Sequence, residues 1–313
     1  AVKNSGGLVI VQVEHLATEV GCRSVHIPGV MVDHVVLAPP DKHPQTLGAP
    51  SPEHDPSLTG QLKLPLGSMR ELPMDPKRIM AHRAMFELNK DHMLVNLGVG
   101  TPEKVATMAV THGDQVPTAG TAILSTEAGS VGGSPLGGAF FGASRNPQAH
   151  LPTCSMLDYY QGGAIDVTCL GAAEVDASGN VNVSNFGAGR TVGCGGFVDI
   201  SQSAKKVVFM GTLTSGGLKV AVSNGKLEVT SEGKIKKFVK SVNERTFAAS
   251  SNGTRPVLYI TERAVFSLTP QGLELKEVAP GVDIEKDVIA QMEFRPMIPS
   301  TGVKCMDPRI FQP

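Results

Sequence analysis

An alternation of helix-like and strand-like segments between residues 75 and 126 limits most narrowly what this chain can fold into. Asp75 suits an N-cap and Pro76 the first helical position, and Met80, Ala81, Ala84, Met85 and Leu88 form an apolar stripe at helical spacing. Met93 to Leu97 then reads as a buried strand running into Gly98-Val99-Gly100-Thr101-Pro102. A helix is expected from Pro102 to Thr111 and the next strand from Thr121 to Thr126. Alternation of this kind builds an α/β fold, an open and mostly parallel sheet with flanking helices.

The flanks differ from this middle. Residues 8–37 read as short strands, Leu8 to Val13, Ser24 to Ile27 and Val30 to Leu37, with Pro28-Gly29 as a turn. Between Ala38 and Pro65 fall Pro39, Pro40, Pro44, Pro50, Pro52, Pro56 and Pro65. Proline fixes φ and donates no hydrogen bond, so residues 38–72 are expected to be a linker. It separates a short segment, 1–37, from a main domain over 73–300. Added β-hairpins are expected at 172–184, around Ala177 to Asn180, and at 220–230, around Asn224-Gly225. A further strand pair over 255–275 turns near Pro270-Gln271-Gly272, and Asp283 caps a closing helix to Met292. The chain begins at Ala1, with no charged and apolar leader, and enters a strand by residue 8; it reads as a piece of something longer.

Composition excludes several classes of function. Charged residues are 18% of the 313 and the formal net charge is −1, so neither nucleic acid nor an anionic membrane is an expected partner. The five cysteines, Cys22, Cys154, Cys169, Cys194 and Cys305, form no C-x-x-C and suggest reduced thiols in a reducing compartment. That points to the cytoplasm, or to the mitochondrion in a eukaryote. No histidine pattern implies a metal.

The chemistry-bearing feature is Ser125-Thr126-Glu127-Ala128-Gly129, followed by Gly132, Gly133, Gly137, Gly138 and Gly142. A carboxylate beside glycines is by default a solvated loop acid. Three companions argue otherwise. Gly98 and Gly100 lie between strand and helix, where backbone amides meet anions. Gly193-Cys194-Gly195-Gly196-Phe197 offers a run of amides suited to an oxyanion hole. Gly132 to Gly138 supplies slender backbone for a long ligand. Tyr159 and Tyr160 read as core or rim packing, Glu262-Arg263 as a structural ion pair, and Gln12 as a residue that could face a cleft.

Taken in order along the chain, these runs resemble the second domain of family I CoA-transferases, in particular the single-chain acetate/propionate type. The resembling stretches are 96–103, 126–129, 132–138, 141–144, 193–202, 257–266 and 294–296, so the likeness reaches from about Gly7 to Arg295. It implies that Glu127 is the nucleophile, with Gly195 and Gly196 in the oxyanion hole. It also implies that Gly98, Gly100, Gly132, Gly133, Gly137 and Gly138 help to hold coenzyme A, a substrate that becomes a covalent adduct. Residues 1–37 then correspond to the end of the family's first domain. The implied substrates are an acyl-CoA and a short-chain carboxylate, the implied assembly a homo-oligomer. Cys194 departs from the family, where Ala or Met is commoner. An acyl-CoA hydrolase on the same scaffold and a non-catalytic ligand-binding module stay open as alternatives. A dinucleotide-binding oxidoreductase lacks its G-x-G-x-x-G turn.

Overall fold

The computed structural model describes residues 1–42, 55–65, 71–186 and 191–312. The chain divides into two compact units, Ala1–Asp55 and Pro56–Pro313.

In the first unit the strands Ile10–Val13 and His34–Leu37 pair in parallel, Ile10 opposite His34. Asp33 fastens the start of the pair by accepting from Val9 N and meeting the Lys3 ammonium. The strand expected over Ser24 to Ile27 is absent, and Cys22–Ser24 is instead a single 3₁₀ turn. Parallel neighbours need a crossover of a dozen residues or more, and this stretch is used up in making it. Gln12 donates its side-chain amide to Lys42 O within the same unit.

The second unit is built on one ten-stranded sheet. Its strands in chain order are β1 (Leu94–Leu97), β2 (Ile123–Ser125), β3 (Ser130–Val131), β4 (Ala149–His150) and β5 (Val167–Gly171). They continue as β6 (Val207–Met210), β7 (Val257–Ile260), β8 (Ala264–Thr269), β9 (Gly272–Val278) and β10 (Lys304–Cys305). The order across the sheet is β10-β9-β8-β7-β6-β5-β1-β2-β3-β4. The centre, β7-β6-β5-β1-β2, is parallel throughout, as the α/β alternation requires. Both flanks are antiparallel around β3 and β8, and β10 returns parallel to β9. β1 and β6 are buried at every residue, the pattern of strands covered on both faces.

Among the described residues five α-helices accompany the sheet: α1 (Pro76–Met85), α2 (Lys104–Thr111), α3 (Pro117–Gly120), α4 (Thr153–Gln161) and α5 (Phe197–Ser203). Asp75 caps α1 by accepting from Arg78 N at 2.8 Å. The α1 stripe joins Val95, Leu97 and Val208 in one core cluster, while Met156, Tyr160, Phe197 and Phe209 form the cluster beside it. The hairpins at 172–184 and 220–230 form as expected, Glu174–Asp176 with Val181–Asn182 and Lys219–Ser223 with Lys226–Ser231.

Three further expectations change. Within the expected linker, residues 43–54 and 66–70 lie outside the described residues. Residues 56–64 are part of the second unit: Ser57 is buried, and the Asn146 side chain both donates to Leu64 O and accepts from Leu64 N. The helix expected from Asp283 to Met292 is a π turn, Ile284–Val288, followed by a 3₁₀ turn, Ile289–Gln291. Asp283 does cap it, but Arg263 takes the Asp287 carbonyl at 3.0 Å and draws that peptide out of an α-helical ladder. The fold also runs past residue 300, since Met306, Ile310 and Phe311 are buried. No helix among the described residues is long and apolar enough to cross a membrane.

Candidate active site

Glu127 stands in the turn that joins β2 to β3, just beyond the carboxyl end of a parallel strand, where open α/β sheets place ligands. The turn closes through Thr126 N to Ser130 O and Gly129 N to Thr126 O, each at 3.0 Å. Gly129 has φ +119°, and a Cβ there would sit 1.9 Å from Leu151 O, so no other residue fits. Thr126 and Ser130 both donate their hydroxyls to Gly142 O, at 3.1 and 3.2 Å, which pins the glycine-rich loop against the turn.

The Glu127 carboxyl is largely enclosed, and its Oε2 is buried without a hydrogen-bond partner among the described residues. Burial raises its pKa, while its own backbone amide and the Asn96 side chain pull the other way. The second glycine run meets it directly. A Cβ on Gly196 would lie 3.4 Å from Glu127 Cγ and 3.6 Å from its Cβ. Gly196 is the N-cap of α5, and Gly193 and Gly195 lead into it at φ +78° and +54°, so the run turns sharply at the carboxylate. Cys194 is exposed between them.

The remaining glycines divide by what surrounds them. Gly98 donates to Cys169 O at 2.9 Å and lies tight against β5, where a Cβ would come within 3.2 Å of Leu170. Gly132 and Gly133 turn at φ +75° and +70° against Gln148 and against the carbonyls of Arg145 and Asn146. Gly137 leaves room for the Glu103 carboxylate, which would be 2.0 Å from a Cβ there. Glu103 in turn accepts from Gly100 N at 3.1 Å and pairs with Lys104 at 3.0 Å, tying the 98–102 loop to the 132–142 loop. Gly100 and Gly138 alone among these six face open space at Cβ.

Beside these loops, at the carboxyl ends of β5 and β6, is a cavity of about 480 Å³ walled by Val99, Pro102, Phe186 and Met210. Lys237 reaches into it, donating to Ala172 O at 2.7 Å, and burial pushes its pKa down to about 8. No signal marked Lys237, which sits in the ordinary-looking basic run 234–240. Tyr160, read as packing, is fully buried but carries a hydroxyl in a polar network with Asn96 and Ser125; Tyr159 is half exposed. Glu262 and Arg263 are a fully buried ion pair, extended by Glu232, as a structural role requires. Among the described residues no group of three or more potential metal ligands comes together.

No family model matches the chain. It is 41% identical, over 99% of its length, to the acetate CoA-transferase YdiF of Escherichia coli O157:H7. It is 43% identical, again over 99%, to the caffeate CoA-transferase of Acetobacterium woodii. The chain spans 57% and 59% of the length of these relatives. The crystal structure of the YdiF thioester complex with CoA superposes with a TM-score of 0.85 at 39% identity, covering all of this chain and 57% of that one.

Proposed function

This chain belongs to the CoA-transferase family, and from that premise we propose that it moves CoA from an acyl-CoA to a short-chain carboxylic acid through a thioester on Glu127. The observation that carries the reading is the Glu127 carboxylate itself, enclosed, unpaired at Oε2 among the described residues and pressed against Gly196.

A carboxylate is ionised near neutral pH without a dedicated base. A Glu127 oxygen attacks the thioester carbonyl of the donor, the C–S bond breaks, and CoA leaves as thiolate with an acyl-glutamyl anhydride formed. The thiolate attacks the glutamyl carbonyl, the acyl group leaves as its carboxylate, and glutamyl-CoA remains. An acceptor carboxylate runs the two steps in reverse, so no proton, ATP or metal is consumed. The amides of Gly195 and Gly196 are assigned to the oxyanion that forms at each attack. Enclosure of Glu127 serves to keep water from the anhydride. Gly100 and Gly138, open at Cβ, are where CoA comes closest to backbone; Gly98, Gly132, Gly133 and Gly137 build the walls that hold those two loops. The cavity with Lys237 is assigned to the CoA arm, its ammonium facing anionic groups. We place the protein in the cytoplasm as a homo-oligomer, in keeping with its reduced cysteines and its family.

The test is intact-mass spectrometry after incubation with acetyl-CoA and then borohydride, on the native sequence and on Glu127→Ala. Borohydride reduces a glutamyl thioester to an alcohol, one oxygen lost and two hydrogens gained. That change, mapped to Glu127 and missing in the variant, is the expected result. Its failure with acetyl-CoA, butyryl-CoA and caffeoyl-CoA alike, in the presence of the rest of a full-length relative, sinks the assignment. Acyl-CoA loss that proceeds without an acceptor acid identifies a hydrolase instead.

A further inference from the structure

Asn96, near the end of β1, is held from two sides. Its Oδ1 accepts from Thr168 Oγ1 at 3.0 Å, and its Nδ2 donates to the Tyr160 hydroxyl at 3.2 Å. The Tyr160 hydroxyl donates onward to Ser125 Oγ at 2.8 Å, and Ser125 donates to Val95 O at 3.1 Å. All four side chains are fully buried. With Oδ1 accepting from Thr168, both N–H bonds of the amide point away from Thr168. One is taken by Tyr160. The other is taken by neither Thr168 nor Tyr160, and Asn96, whose strand partner Ser125 lies two residues before Glu127, favours the charged form of the Glu127 carboxyl.

We propose that Tyr160 is a positioning residue that works through Asn96, fixing its amide so that the second N–H faces the Glu127 carboxylate. Its ring alone would fill the core equally well as phenylalanine; only the hydroxyl can fix an amide. The inference rests on reading Glu127 as the nucleophile. Around that carboxylate stand Asn96 from β1, Tyr160 from α4 and Gly196 at the start of α5. Of these only Tyr160 titrates, and burial pushes its pKa up to about 12, so it stays neutral wherever Glu127 changes charge. Among the described residues no neighbouring charge contributes to the shift on Glu127.

The experiment is a carboxyl-¹³C NMR titration of glutamate-labelled protein, with the Glu127 signal assigned by its loss in Glu127→Gln. Tyr160→Phe frees the Asn96 amide to turn away, which removes a hydrogen bond to the charged carboxylate and so raises the Glu127 midpoint. The expected rise is about half a pH unit or more, roughly a threefold fall in the ionised fraction at pH values below the midpoint. Thr168→Val, which releases the other end of Asn96, shifts it the same way and stands in if Tyr160→Phe does not fold. A purely structural tyrosine would lower thermal stability and leave the midpoint in place, and an unmoved midpoint in the folded variants overturns the proposal. The borohydride mass measurement reads the nucleophile separately. A shifted midpoint in a protein whose Glu127 takes up no CoA upholds the positioning role and removes the nucleophile.

Discussion

At Glu127 the protein holds a carboxylate where water would otherwise stabilise it, and that choice has a thermodynamic sign. A carboxyl whose pKa is raised by folding binds its proton more tightly in the native state. The stability this contributes is present below the unfolded pKa near 4.5 and is lost as pH rises through the folded value. At pH 7 the ionised group therefore works against the fold. Glu127→Gln, which keeps shape and removes charge, is expected to melt higher than the native protein at pH 7. The gain should be about 2–4 °C for each kcal/mol relieved, and it should shrink to nothing below pH 4.5. Thermal melts of both proteins from pH 4 to 8 check it; equal melting temperatures at pH 7 would contradict it. At this scale the sequence singled out Glu127 and the 193–196 run by their order along the chain, and the fold brings Gly196 against Glu127. It read Tyr160 as packing without its hydroxyl network, and it did not mark Lys237. Their roles depend on which partners the fold brings to them, Ser125 and Ala172 being 35 and 65 positions away.

Among the elements, the two glycine loops are joined by one carboxylate. Glu103 occupies the space that Gly137 leaves, and the same carboxylate holds Gly100 N. Gly137→Ala is expected to expel it, at about 1–3 kcal/mol, and to expose the Gly100 amide to rapid hydrogen exchange. Gly138→Ala meets no neighbour and bears only the strain of a left-handed backbone, about 1–2 kcal/mol, with Gly100 still protected. Denaturant melts together with exchange at Gly100 separate the two; equal protection would break the link. Of the elements, the parallel centre and the Asp75 cap were legible, since cap chemistry and hydrophobic period act locally. The Ser24 to Ile27 strand and the helix after Asp283 were misread for a shared reason. In both, a long-range demand, a crossover in one and the Arg263 hydrogen bond in the other, overrides local propensity.

Across the second unit a single ionic network ties distant parts of the chain. Arg83 on α1 forms a bidentate pair with Glu277 on β9, at 2.7 and 2.8 Å, and also meets Glu87, which Lys206 engages just before β6. Burial alone would raise the Glu87 pKa, but Arg83 and Lys206 outweigh it and hold the group ionised. Removing one partner leaves charge in a poorly solvated place. Glu277→Ala is expected to cost about 3 kcal/mol and lower the melting temperature by about 6–12 °C. A loss under 1 kcal/mol in a denaturant titration would show the network to be incidental. Apart from the Arg83–Glu87 pair at helical spacing, none of this network was readable beforehand. Separations of up to 194 positions leave no trace in local pattern, whereas the α/β class, which follows from alternation alone, did.

The sheet's two borders carry a practical consequence. Ten strands side by side end in β4 and β10, each only two residues long, and residues 56–64 lie over the β4 side, with His150 Nε2 meeting Leu58 O at 3.0 Å. A short border offers few free amides for another chain to dock on, and a proline-bearing strap offers fewer still. Residues 56–64, which read on paper as mere spacer, thus hold one end of this border, and deleting them is expected to raise the rate of aggregation followed by light scattering.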